Sequence, residues 1–404
     1  MTALKTKISR LIEASGPIGV ADYMMLCLFD PEHGYYTTRE PFGAEGDFTT
    51  APEISQMFGE LVAIWLYSAW KACGGPLPAT LAEIGPGRGT LMKDMLRTFA
   101  RLDPQFAAGI GFAIIEASPR LAELQKQTLA GVPTRPEWFG HVDQLPDRPL
   151  FIVGNELFDA LPVRQYVKSA DGWRERVIGL QDDGSLAFMA GAGSVDAALL
   201  PPDATSASEG SVVELAPARS ALMEAIAARL ERDSGAGLFI DYGYERPAVG
   251  DTLQAVRRHA YDHVLAHPGE ADLTAHVDFA ALAEAARANG LDAHVMTQGD
   301  FLLAMGLLER AGRLGASRDA AEQERIRGEV DRLASPEAMG TLFKALTVVP
   351  KGAAIPPSVA DGTGDKMART APGGTVRATA GPRIDLAKPL PHHPALSKSD
   401  SQGR

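Results

Sequence analysis

The chain has 404 residues, 45% of them hydrophobic, and a formal net charge of −12. That length and apolar share allow one large core or two smaller ones, while the acidic balance gives no long-range attraction to phosphate backbones and argues against a nucleic-acid partner. Two cysteines, Cys27 and Cys73, make neither a CxxC nor a zinc spacing, so free thiols in a reducing compartment are expected.

In chain order, residues 3 to 29 read as two helices broken by a turn at Ser15-Gly-Pro17. The start of the chain lacks a signal-peptide core, and no run reaches the roughly 18 to 20 apolar residues of a membrane span. A soluble, cytoplasmic protein is the expectation. Two loops follow, Asp30 to Thr38 and Gly43 to Glu53, rich in turn formers yet carrying aromatic and hydroxyl groups suited to contact. Thr50 and Glu53 have capping-box spacing for a helix running to about Ala72. Capping does not account for Gly46, Asp47 and Thr49, so Asp47, Thr49 and Thr50 are candidates for contacts to a ligand at the neighbouring turn.

That turn is the stretch Leu81-Ala-Glu-Ile-Gly-Pro-Gly-Arg-Gly-Thr-Leu91. An apolar strand carrying Glu83 enters glycines at 85, 87 and 89, and a helix leaves them. Glycine permits positive φ and lets a ligand lie against the main chain, and the helix start offers unpaired amides. A nucleotide-like ligand follows. The dinucleotide fingerprint needs a third glycine at position 90, where Thr90 stands, and no lysine follows for a P-loop. The pattern E-x-G-x-G-x-G resembles motif I of class I S-adenosylmethionine (SAM) methyltransferases. Taken alone it is also compatible with an ordinary glycine turn between strand and helix.

Gly111 to Glu116 is a second short strand ending in an acid, and Glu116 is the candidate to accept ribose hydroxyls. The alternative is a charge favoured near a helix start. A third strand is expected near Trp138, and Pro149 to Gly154 is a buried one. It ends in Asn155-Glu-Leu-Phe-Asp-Ala-Leu-Pro162, which puts Asn155, Glu156 and Asp159 at the carboxyl end of the sheet, where ligands bind. Glu156 and Asp159, three apart, are expected to face one way and to hold a guanidinium or amine, with Asn155 accepting a hydrogen bond. Acids at a helix N-terminus are the plainer alternative.

Alternating strands with Asp-Gly turns then read as an inserted antiparallel unit over about 163–215. A helix from Pro217 and a buried strand ending at Asp241 come next. Thr252 to Arg258 is expected to extend the sheet, and His259, His263 and His267 read as loop histidines rather than as a metal site. A helix is expected to open at Asp272, followed by a strand at Leu291 to Thr297, helices at about 299–313, 318–334 and 336–341, and a last strand over 343–349. Residues 351–404 are rich in Pro, Gly, Ser and Thr and read as a disordered, positively charged tail.

Together these motifs resemble one family, the MidA-like SAM-dependent methyltransferases. The resemblance covers roughly residues 5 to 350. It rests on Gly34-Tyr-Tyr, Gly46-Asp-Phe-Thr-Thr-Ala-Pro-Glu-Ile-Ser, the stretches from Glu83 and Asn155, Asp241-Tyr-Gly and Asp272-Leu-Thr-Ala-His-Val-Asp-Phe. It implies an α/β fold, a class I Rossmann-like sheet with an N-terminal helical extension over 1–75, a core over 76–350 and an inserted β-rich substrate subdomain. It also implies SAM as cofactor. In the mitochondrial members it implies symmetric dimethylation of an arginine on a complex I subunit. No mitochondrial presequence is visible, so a bacterial relative is the expectation. On this reading Glu83, Gly85, Gly87, Gly89 and Glu116 serve the cofactor, and Asn155, Glu156 and Asp159 serve catalysis on a protein substrate. A SAM-binding assembly factor without turnover and a small-molecule methyltransferase remain alternatives.

Overall fold

The computed structural model describes residues 2–38, 50–132 and 134–355. Asp47, Thr49 and the tail beyond residue 355 lie outside the described residues. Eight strands form the main sheet: β1 (Thr80–Ile84), β2 (Gly111–Ile115), β3 (Glu137–Phe139), β4 (Leu150–Asn155), β5 (Gly235–Tyr244), β6 (Leu291–Thr297), β7 (Phe343–Pro350) and a two-residue strand, Val277–Asp278, paired parallel to the end of β5. The spatial order of the numbered strands is β6-β7-β5-β4-β1-β2-β3, and only β7 runs against its neighbours. The order reverses at β1, so the carboxyl ends of β1 and β4 open a crevice there.

The longer helices are α1 (Ala3–Ser15), α2 (Val20–Phe29), α3 (Gln56–Ala72), α4 (Thr90–Leu102), α5 (Pro119–Thr128), α6 (Pro217–Asp233), α7 (Phe279–Ala288), α8 (Gln298–Ala304), α9 (Leu307–Gly315) and α10 (Ala320–Ala334). Both faces of the sheet are covered, which is why β1 and β2 read as almost unbroken apolar runs. Side chains alternate between faces. Leu81, Phe151, Val153 and Leu238 meet α3 and α4 through Phe58, Trp65, Met95 and Phe99. Ala82, Ile152 and Phe239 meet α6 and α7 through Ile226, Leu230 and Leu282. By the same alternation Glu83 and Asn155 share the α4 face.

Four strands between residues 164 and 215 make a second sheet, joined at one edge by Ile18–Gly19. α1 and α2 pack on it through Leu4, Ile8, Tyr23 and Leu28, against Val163, Ile178 and Leu186. The N-terminal helices therefore form one core with the inserted strands.

Four local expectations are corrected. Thr50 caps no helix with its side chain; a single turn, Ala51–Ile54, ends at an extended Ser55, and the Ser55 hydroxyl accepts from Met57 to start α3. Gln254–Arg257 does not extend the main sheet but lies between Ala260–Asp262 and Asp272–Thr274 in a small third sheet. Asp272 opens a strand, and the helix begins only at Phe279, where Asp278 accepts the Ala281 amide. The helix expected over 299–313 breaks at Gly306, which has φ 91°.

Candidate active site

Three glycines with positive φ follow β1 in five residues: Gly85 at 66°, Gly87 at 53° and Gly89 at 85°. This left-handed run turns the chain back over the end of the sheet, and Gly89 then precedes the first turn of α4. A Cβ on Gly85 would stand 2.9 Å from Leu157 Cδ1. The turn and the loop after β4 therefore press together at that point: a side chain there would have to displace Leu157, and the positive φ favours glycine.

The facing wall is that loop. Glu156 takes φ 49°, rare for a residue with a Cβ. It is held there by its amide, which donates to the Ile240 carbonyl at 2.8 Å. The Glu156 carboxylate accepts from Asn155 Nδ2 at 3.2 Å and the Ala51 amide at 3.4 Å. Residues 156–161 form turns rather than a helix, which removes the helix-end account of the acids. Glu156 lines the pocket, while Asp159 sits behind it, buried, with its Oδ2 accepting from the Tyr242 hydroxyl at 2.7 Å. The two carboxylates still feel each other's charge.

The third wall is the turn at 50–54. Glu53 accepts from the Thr90 hydroxyl at the start of α4, and Ala51 reaches Glu156. The segment thus bridges the glycine turn and the acidic loop. The pocket between these walls is lined by Thr50, Pro52, Glu53, Glu83, residues 85–88, Thr90, Leu91, Asn155 and Glu156.

Its electrostatics favour a cation. Burial pushes the Glu83 carboxyl up to about 8, with the Met92 amide opposing. Burial, and then the charge of Asp159, push Glu156 up to about 7. Glu83 Oε2, Asn155 Oδ1 and Asp159 Oδ1 are buried acceptors with no partner among the described residues. Buried acceptors without donors are costly, so a ligand bringing positive charge and N–H groups relieves the two that line the pocket, Glu83 and Asn155. SAM fits, since it carries a sulfonium and an ammonium group. The amides at the start of α4 and the Arg88 side chain suit its carboxylate.

Gly89 and Glu116 stand just outside the pocket wall. Glu116 accepts from the Ser118 amide at 2.7 Å and from Gln125 Nε2 at 2.8 Å. That same Gln125 amide donates to the Gly87 carbonyl at 2.9 Å, and its oxygen accepts from Trp138. Gln125 thus ties the acid of β2 to the glycine turn. Sequence reasoning missed it, although its signal was present: Leu121 and Gln125, four apart, are the buried face of α5, and a polar residue there needs partners.

The acidic loop has equally unforeseen supports. Asp241 Oδ2 accepts the amides of Phe158 at 2.9 Å and Asp159 at 3.2 Å. Arg219, on α6, is buried and donates to the carbonyls of Asp159, Leu161, Ala275 and His276. His276, next to the Tyr242 ring, is lowered to about 4 by burial and then by Arg219, so its imidazole is neutral. Of the loop histidines, His267 bonds Asp262 at 2.6 Å and His263 accepts from Leu265.

The family model described as "Putative S-adenosyl-L-methionine-dependent methyltransferase" matches residues 61–297. The zebrafish (Danio rerio) mitochondrial protein arginine methyltransferase NDUFAF7 is 34% identical over 370 residues, covering 86% of each chain. Its human (Homo sapiens) counterpart is 34% identical, covering 84% of this chain and 81% of its own. A crystal structure of a COG1565 superfamily member from Burkholderia thailandensis, bound to S-adenosyl-homocysteine, is similar with a TM-score of 0.75 and 32% identity, covering 86% of this chain and 92% of that one. The strand order, the glycine turn and the cation-seeking pocket agree with these likenesses: the chain belongs to the MidA-like family of SAM-dependent methyltransferases.

Proposed function

We propose that this enzyme methylates an arginine guanidinium on a protein substrate, with Glu156 and Asp159 as the groups that receive it. Support comes from relatives named protein arginine methyltransferases and from one feature of the site. Two buried carboxylates stand at the end of β4, one lining the pocket and one keeping an unpartnered oxygen. When bound, SAM supplies a methyl group on a sulfonium, an electrophile that needs only a positioned nucleophile. The chain supplies the positioning. Carboxylates accept guanidinium N–H bonds in fixed geometry and hold one nitrogen in line with the methyl group. Their negative charge also offsets the positive charge of both reactants. Asn155 lends a further acceptor.

On this reading Glu83, Gly85, Gly87 and Gly89 hold the methionine side of the cofactor, Glu116 its ribose, and Thr50 lies against it. The family resemblance makes a respiratory complex I subunit the first protein acceptor to test. The decisive experiment incubates the enzyme with tritiated SAM and a lysate from cells lacking it, then hydrolyses the protein fraction for amino-acid analysis. Label recovered as methylarginine is the expected outcome. Label on another amino acid, or only in low-mass products, overturns the arginine assignment.

A further inference from the structure

Asp241 and Tyr242, consecutive at the carboxyl end of β5, grip the acidic loop in different ways. Asp241 takes the loop's backbone amides. Tyr242, on the opposite face of the strand, donates its hydroxyl to the side chain of Asp159, at 2.7 Å from Oδ2. Oδ1 of the same carboxylate is buried and has no partner among the described residues. A carboxylate turns readily about its last torsion, whose preference is broad and two-fold. A donor fixed on one oxygen therefore decides where the other points. Tyr242 is well placed to be that anchor, because its ring packs edge-on against His276 at 5.6 Å and Phe343 at 5.4 Å between centroids. Burial and the charge of Asp159 raise its phenol well above the usual range, so the hydroxyl keeps its proton and donates.

Resting on the reading that Asp159 receives the acceptor, we infer that Tyr242 is a positioning residue whose hydroxyl pins Asp159 Oδ2 and leaves Oδ1 to take an acceptor N–H. The charged and titratable groups facing Asp159 are Glu156 on its own loop, Asp241 and Tyr242 on β5, Arg219 on α6 and Tyr36 beyond α2. Burial raises the Asp159 carboxyl, and the Tyr242 hydrogen bond is the largest opposing effect, ahead of Arg219. Removing the hydroxyl therefore raises Asp159 further, and a stronger donor lowers it.

The test compares the full chain with Tyr242→Phe, with Asp159→Asn, and with 2,3-difluorotyrosine placed at position 242. Infrared titration follows the Asp159 carboxyl band, assigned by its loss in Asp159→Asn. Tritium transfer to lysate protein gives rate against pH, and calorimetry gives S-adenosyl-homocysteine affinity. Tyr242→Phe is expected to lower kcat roughly 10- to 100-fold, the range of one hydrogen bond to a charged group. It should also move the Asp159 titration and the acid limb of the rate upward by about one pH unit, with affinity unchanged. The fluorinated residue, a stronger donor of nearly the same shape, should move both downward, and it carries the test alone if Tyr242→Phe does not fold. An Asp159 band and a kcat that neither variant moves would overturn the positioning role. Full activity in Asp159→Asn would instead sink the reading of Asp159 as acceptor site, with the infrared result still deciding whether Tyr242 controls that carboxylate.

Discussion

The glycine turn lies within five consecutive residues between β1 and α4, whereas the loop facing it takes its shape from partners 58 or more positions away. Both form the same pocket. The turn is built from the conformational freedom of its own glycines, which is a property of residue type. The loop holds a strained Glu156 through the Ile240 carbonyl of β5, and a buried Asp159 because Asp241, Tyr242 and Arg219 arrive from β5 and α6 to satisfy its backbone and side chain. A locally encoded wall suits binding of the cofactor, and a wall assembled from afar suits alignment of the acceptor.

The largest expected effect separates the two walls by function. Combining Glu156→Gln with Asp159→Asn keeps size and shape but removes the charges, and kcat should fall about 10³-fold or more, by analogy with the loss of preorganised electrostatic groups. Affinity for SAM should change only a few-fold. Single-turnover transfer and calorimetry on one preparation measure both; a comparable loss in both quantities would merge the walls into one. Next comes Arg219→Met, which strips four carbonyls of a buried donor and leaves nearby acids without its charge. A loss of about 3 to 5 kcal/mol in urea unfolding is expected, with surviving folded enzyme impaired in kcat more than in SAM binding.

How legible each wall was follows from the same difference. The sheet, the glycine turn and the acids at 116, 156, 159 and 241 stood in contiguous patterns. The alternation that buries β1 and β4 on both faces is visible in any short window. Arg219 and Tyr242 were not recognisable as site residues, because a helix arginine and a strand tyrosine read as ordinary surface and core until the chain is folded. The Thr50 and Glu53 pair shows the opposite failure. A local capping pattern was present, but Glu53 turned to Thr90, thirty-seven positions on, and the cap fell to Ser55. Likewise the 272–278 stretch joined strands, because pairing with Gln254–Arg257 and with the end of β5 satisfied its backbone.

Gly87→Val attacks the local wall directly. A β-branched side chain at φ 53° is strained, and SAM affinity is expected to fall roughly 100-fold, about 2.7 kcal/mol, with the fold retained by circular dichroism. Retained affinity would mean that the turn tolerates a different backbone. A smaller effect comes from acidity. Glu83 is raised to about 8 and Glu156 to about 7 in the folded chain, above the usual carboxylate range, so the folded state binds more protons than the unfolded one. Stability of the ligand-free protein is therefore fully present below the unfolded carboxylate range and is lost as pH rises through about 7 to 8. Thermal unfolding should show a higher midpoint at pH 6 than at pH 8, a difference that shrinks in Glu83→Gln and when SAM is bound.

The smallest effect probes a place where the local wall borrows a side chain from elsewhere. Gln125 joins the Gly87 carbonyl to Glu116 across thirty-eight positions. Gln125→Leu fills nearly the same space but leaves the carbonyl and the carboxylate each short of one donor, worth about 0.5 to 1.5 kcal/mol for an ordinary hydrogen bond. A SAM affinity weakened about three- to tenfold, with kcat at saturation unchanged, would keep the glycine turn an essentially local device steadied by one remote amide. A fall in kcat instead would show that the distance between the β2 acid and the turn governs alignment of the acceptor, and the division between a binding wall and an aligning wall would have to be redrawn through α5.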